Sequence, residues 1–260
     1  MTMARGRPDK RGAETRTAKP RPRLSILGVL GELLITAGVV VLLFLGWQVW
    51  LGNLMSSGAQ AVEARALSRS WSEGGPARPA ASTERRDPGP PPVQTAPDDA
   101  AQFANMIVPR FGTDYTRPVA QGINADVLRA GVGHYPGTQM PGEVGNAAFA
   151  AHRTGNGSPF FDIEKLQVGD SIYIEMAAGW YRYVFRSLEY VPASGVGVLD
   201  PVPQAAGVIP TDRLLTLTSC NPVFTASERI IMYSLYDTWY PRADGPPPEI
   251  ALLMQPGTVG

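Results

Sequence analysis

Residues 24–51 read LSILGVLGELLITAGVVVLLFLGWQVWL, and in the 18-residue stretch 33–50 the one strongly polar side chain is Gln48. As a helix rising about 1.5 Å per residue, that stretch is ~27 Å long, close to the hydrocarbon thickness of a bilayer. A secretory signal would carry a shorter apolar run and end on small residues at a cleavage site. This run ends on Trp47 and Trp50, the aromatic pair expected at a membrane interface. Residues 1–23 carry eight basic side chains against Asp9 and Glu14. The positive-inside rule therefore predicts a cytoplasmic tail at 1–23, one uncleaved transmembrane helix at 24–51 and an extracellular remainder. Glu32 lies near the cytoplasmic end, where it can reach headgroups.

Beyond the span, residues 52–101 read as an extracytoplasmic linker. Residues 52–73 can continue briefly as helix. Residues 74–97 hold seven prolines and no aromatic residue, so they cannot bury enough apolar surface to fold alone and are expected to stay extended as a spacer. The folded domain is expected over 102–260. There ten Arg and Lys stand against fourteen Asp and Glu, which excludes a nucleic-acid binder with its positive charge on the folded part.

The domain reads as many short strands separated by turns. Strands are expected at 104–108, 146–151, 171–176, 180–190, 214–220 and from Arg229 onward, with one short helix opened by Asn124 and closed at Gly131. Turns are expected at 134–138, 140–143 and 163–170. Few helices and turn-rich spacing predict a mainly β fold, a closed barrel or sandwich.

Chemistry concentrates at residues 214–229. The chain's single cysteine, Cys220, closes the apolar run LLTLTSC, and Asn221-Pro222 breaks the strand after it because proline has no N–H to donate. With one cysteine no internal disulfide forms, and the thiol is either a small buried hydrophobe or reactive. A reactive thiol needs a base to take its proton and return it to a leaving amine. Only two histidines exist. His152 stands at a strand end before a flexible Thr-Gly-Asn-Gly loop and is the better candidate, whereas His134 lies in a turn and reads as structural. Arg229, at the start of the next strand, could stabilise negative charge developing on a carbonyl oxygen.

Thr216-Leu-Thr-Ser-Cys220 resembles the sortase signature T-L-x-T-C, with Arg229 at the sortase arginine's distance. Gly133-His-Tyr-Pro-Gly-Thr138, Pro141-Gly-Glu-Val-Gly-Asn146, Ala151-His-Arg153 and Gly31-Glu-Leu-Leu-Ile-Thr36 are similar to class E sortases. The resemblance implies a sortase-type closed β-barrel and a cysteine transpeptidase needing no metal or organic cofactor. Such an enzyme cleaves an LAxTG- or LPxTG-type sorting signal between Thr and Gly through a thioacyl intermediate on Cys220. It then passes the protein to a cell-wall precursor amine. By family role Cys220 attacks, His152 protonates the departing amine and Arg229 steadies the carbonyl; Thr218, Ser219 and Asn156 are the expected substrate-binding positions. Three positions depart from the pattern: Ser219 for threonine, Ala151 for glycine and Asn156 for the tyrosine of class E. The implied partners are sorting-signal peptides, the wall amine and membrane lipid around 24–51. Two other readings fit the residues: a cell-wall cysteine peptidase, disfavoured because its cysteine would open a helix, and a non-catalytic tethered barrel binding wall components.

Overall fold

A computed structural model of the chain describes residues 25–73 and 88–251. The basic tail, Pro76 and Pro79 of the linker and the end of the apolar run at 250–254 lie outside the described residues, as does the side chain of Trp50. Helix α1 spans Ile26–Ser72 without interruption and is long and apolar enough to cross a membrane. Its first part, through Gly46, forms one unit whose leucines, isoleucines and valines are mostly exposed.

The second unit, from Trp47 on, is the predicted closed β-barrel. Its strands are β1 (Gln102–Ile107), β2 (Thr116–Gln121), β3 (Val132–His134), β4 (Gly145–Ala150), β5 (Ser171–Met176), β6 (Gly179–Pro192), β7 (Arg213–Asn221) and β8 (Glu228–Pro241). They pair in the order β1-β2-β3-β4-β7-β8-β6-β5, and β5 closes onto β1. Two neighbours are parallel, β2 with β3 and β4 with β7. A parallel pair needs a crossover. Between β2 and β3 it is the short helix α2 (Ala125–Ala130), whose N-cap Asn124 accepts hydrogen bonds from the N–H groups of Asp126 and Val127. All six residues of β4, GNAAFA, are buried, as expected of a parallel strand covered on both faces.

Alternation along β7 divides its residues between two environments. Leu215 and Leu217 join the barrel core with Phe149, Ile172, Tyr183 and Met232. Thr216 and Thr218 take the opposite face, where the Thr216 hydroxyl donates to Asn146 Oδ1 at 2.7 Å. The loop from β6 to β7 crosses this face: Asn146 Nδ2 donates to the carbonyls of Val198 and Asp200, and Val198 packs with Val191 and Ile231.

Residues 52–72 continue as helix, as expected, and the described part of the spacer, 88–97, is docked on the barrel. Residues 47–72 of α1 lie on the barrel, burying Ala61 and Ala64, and Asn105 Nδ2 donates to the Ala64 carbonyl at 2.9 Å. Further on, Tyr181 and Trp239 donate to the carbonyls of Pro92 and Gly89 at 2.6 and 3.1 Å. At the carboxyl end, helix α3 (Pro248–Ala251) buries Ile250 against Ile107, Tyr173 and Trp180.

His134 ends strand β3 rather than lying in a turn. Its ring is fully buried, against Phe103 and Phe149; Nδ1 and Nε2 lie 2.8 and 2.9 Å from Gln121 Oε1 and the Gln139 carbonyl, and the neutral ring, with one N–H, donates to one of them. Burial pushes its pKa below the ordinary 6.5, and the Gln139 carbonyl and Glu143 only partly offset this. The folded chain thus binds fewer protons than the unfolded chain below that value. The associated stability is fully present above about pH 6.5 and is lost as pH falls through the window beneath it. Urea midpoints are expected to decline between about pH 7 and pH 5, and His134→Gln should flatten that decline. An unchanged slope in the variant would rule out His134 as its source.

Candidate active site

The register of three adjacent strands assembles the site. Strands β4 and β7 run parallel with Ala150 beside Thr218, and the Ala151 N–H continues the ladder to the Thr218 carbonyl at 3.3 Å. Two residues further along each chain stand His152 and Cys220. Strand β8 returns antiparallel, with Arg229 directly paired to Cys220. Paired residues share a face, and so do residues two apart. The even-numbered positions of β4 and β7 and the odd-numbered positions of β8 therefore share one face; Cys220 and Arg229 are paired at its end, and His152 follows the end of β4 on the neighbouring side. The same parity separates the two histidines, because His134 pairs with Phe149, on the core-facing side.

Cys220 is partly exposed, as an attacking thiol must be. His152 is half-buried. Burial, and secondarily the positive charge of Arg129, hold its pKa below 6.5, which keeps the imidazole neutral at neutral pH and able to accept a proton. Arg229 donates from Nη1 to the carbonyls of Ala226 and Glu228 at 2.9 and 3.0 Å. The loop between β7 and β8 thereby fixes the guanidinium, and Nε and Nη2 take no part in these two bonds.

The sequence reading gave no role to the residue after His152. Arg153 is 1% exposed. It donates from Nε to the Phe161 carbonyl at 3.2 Å, from Nη1 to Asn221 Oδ1 at 2.8 Å and from Nη2 to Glu164 Oε2 at 2.6 Å. Asn221 in turn donates through Nδ2 to Glu228 Oε1. Arg153 follows His152, Asn221 follows Cys220 and Glu228 precedes Arg229. One polar strap therefore ties together the immediate neighbours of all three candidate residues. The signals in the sequence are that each strap residue adjoins a candidate and that Arg153 closes the Ala151-His-Arg153 motif.

The expected substrate-binding positions stand as follows. The Ser219 hydroxyl, buried, donates to the Ala151 carbonyl at 2.8 Å. The Thr218 hydroxyl, also buried, is 2.9 Å from the Tyr135 hydroxyl. Both are engaged inside the protein, bracing β7 against β4 and the loop before it. Asn156 is half-exposed in the loop after His152, with φ 49°, a left-handed conformation that asparagine tolerates better than most residues.

A family model described as a sortase domain matches residues 106–236. Sortase SrtE2 of Streptomyces coelicolor is 30% identical over 232 residues, covering 85% of this chain and 86% of its own length. Sortase SrtE1 of the same organism is 33% identical over 242 residues, covering 90% of this chain, which spans 64% of that relative's length. The solved structure of sortase E1 from Streptomyces coelicolor, with a tripeptide in its active site, is 36% identical with a TM-score of 0.54, covering 61% of this chain and 99% of that one. With the family model matching half of its 260 residues and class E sortases among its relatives, this closed-barrel chain belongs to the sortase family.

Proposed function

We propose that the chain is a membrane-anchored cysteine transpeptidase that cleaves an LAxTG- or LPxTG-type sorting signal between Thr and Gly and transfers the new acyl end to a cell-wall precursor amine. The observation that carries this reading is the register that pairs Cys220 with Arg229 and brings the end of β4, two residues before His152, beside Thr218, two residues before Cys220. The tripeptide in the active site of sortase E1 supports a peptide substrate. Helix α1 supports an anchored enzyme, and the eight basic side chains of residues 1–23 favour a tail inside and a barrel outside, next to substrates still held at the membrane.

In this mechanism the Cys220 sulfur gives its proton to His152 and attacks the threonine carbonyl carbon. Negative charge gathers on the carbonyl oxygen, where the Arg229 guanidinium donates to it. The C–N bond breaks as the protonated His152 delivers its proton to the departing glycine amine, leaving a thioester on Cys220. An incoming amine attacks the thioester, His152 takes its proton, and the thiol is released. Half-burial of His152 suits both directions, since it favours the neutral base at rest.

Cys220→Ala is expected to abolish transfer and the acyl-enzyme mass seen when the amine is withheld. His152→Ala and Arg229→Ala should each lower kcat/KM by about 100-fold or more with the fold retained. Peptide transfer to hydroxylamine, followed by mass spectrometry, measures all three. Full activity in Cys220→Ala would refute the reading, and water outcompeting the amine would favour a peptidase.

The strap generates a separate expectation. Arg153→Met leaves the Phe161 carbonyl and Asn221 Oδ1 without a donor, at a cost of about 1–3 kcal/mol each. The melting temperature should fall by several degrees, and kcat should fall more than KM rises. Glu164→Gln should be milder, because Glu164 is 53% exposed and water can replace its bond. Thermal melts with steady-state kinetics test this; wild-type kcat in Arg153→Met would show that the strap does not position the site.

A further inference from the structure

His152 is followed by a loop of unusual backbone. Gly155, Asn156, Gly157 and Ser158 have φ of 74°, 49°, 79° and 45°, four left-handed residues in succession, two of them not glycine. L-residues adopt this conformation at a cost, and it persists only where the surroundings impose it. Within the loop the Ser158 N–H donates to the Gly155 carbonyl at 2.8 Å, and the Phe160 N–H returns to the His152 carbonyl at 3.1 Å. That second bond couples the loop to the histidine's own backbone.

The remaining restraints come from helix α1. Gln60 is 3% exposed, and its Nε2 donates to the Asn156 carbonyl at 2.8 Å and to the Arg129 carbonyl, at the end of α2, at 3.3 Å. Gly157 lies flat against the same side chain: a Cβ there would come within 2.7 Å of Gln60 Oε1. About two turns earlier on the helix, Asn53 Oδ1 accepts from the Ser158 hydroxyl at 2.9 Å. Ala61 and Ala64, both buried, let the helix approach this closely. A buried amide is costly unless its hydrogen bonds are used. Here the Nε2 donors are spent on the loop beside the histidine and on the helix whose Arg129 charge acts on that histidine, while the buried Oε1 faces Gly157 without a hydrogen-bond partner among the described residues.

We infer that Gln60 is a positioning residue of the transpeptidase: the segment of α1 after the apolar run serves as part of the active-site scaffold, holding the left-handed loop and through it the placement and burial of His152. The inference rests on the catalytic roles proposed above. It also means that a barrel cut from its helix, starting near residue 100, lacks an element the site depends on.

The test uses the full chain in detergent or nanodiscs, with an LAxTG-type peptide and hydroxylamine as probes. Gln60→Ala and Gln60→Glu remove the donors, the second at nearly constant size, and Asn53→Ala removes the other tie without opening the buried contact. Val62→Ala, an exposed position between them and the barrel contacts, is the control. Each loop-directed variant is expected to lose about tenfold or more in kcat, since small misplacements of catalytic groups are expensive. Freed of the loop, His152 becomes better hydrated, so its pKa rises and the acidic limb of kcat/KM moves to higher pH. A helix contact with a merely structural role would lower thermal stability and leave kcat and the acidic limb where they were; that result overturns the inference. If Cys220→Ala and His152→Ala abolish transfer while the Gln60 and Asn53 variants match Val62→Ala, this inference alone fails. If Cys220→Ala retains transfer, the underlying reading fails with it.

Discussion

The site depends on one buried guanidinium. Desolvating an arginine costs several kcal/mol unless its donors find acceptors in good geometry. Arg153 meets that condition with a backbone carbonyl, an amide and a carboxylate drawn from separate segments. Its carboxylate partner is half in water, so the pair lies at the edge of the interior and avoids the full penalty of a buried ion pair. Lysine could not replace it, because a point charge on a flexible stem cannot serve three directions at once. The strap links the chain beyond the end of β4 to the end of β7 and, through Asn221, to the start of β8.

Much of the barrel was legible in the sequence because alternation is a local signal. Strands β4, β5, β7 and most of β6 were expected within a residue or two of where they form, and Asn124 and Gly131 do bracket α2. Two strands were not seen. Strand β3 has three residues, too few for alternation, and β2 contains Pro118, which argues against a strand. Pairing of β2 with β3 begins only at Val119, so Pro118 lies outside that ladder and its missing N–H leaves no gap there. Strand β8 continues to Pro241, well beyond the run that was visible, because its pairing with β6 slips where Arg182 faces Thr238 and Tyr183 faces Tyr236. The bulge at Asp237 shifts the period and hides the continuation.

The supports of the site were illegible for a different reason. Arg153 and Asn221 are 68 residues apart in sequence, and Gln60 and Asn156 are 96 apart. No local pattern reports such a pairing. The linker misled through composition. A proline-rich segment cannot bury itself, but it can be buried by something else. An extended proline run is already ordered, so little entropy is lost on docking. Stacked Tyr181 and Trp239 provide the apolar surface and the N–H and O–H donors that such a backbone accepts.

The chemistry falls at this rim because two kinds of pairing meet on β7. Antiparallel pairing alone brings the end of one strand to the start of the next, which accounts for Cys220 and Arg229 but cannot bring up a third strand's end. Parallel pairing of β4 with β7 does so, bringing up beside Thr218 the end of the strand that His152 follows. A parallel neighbour demands a long return path. Here that path carries Arg153, the left-handed loop, β5, β6 and the segment that crosses the face bearing Thr216 and Thr218. The crossover the topology requires is therefore also the source of Arg153 and of the left-handed loop that follow the histidine.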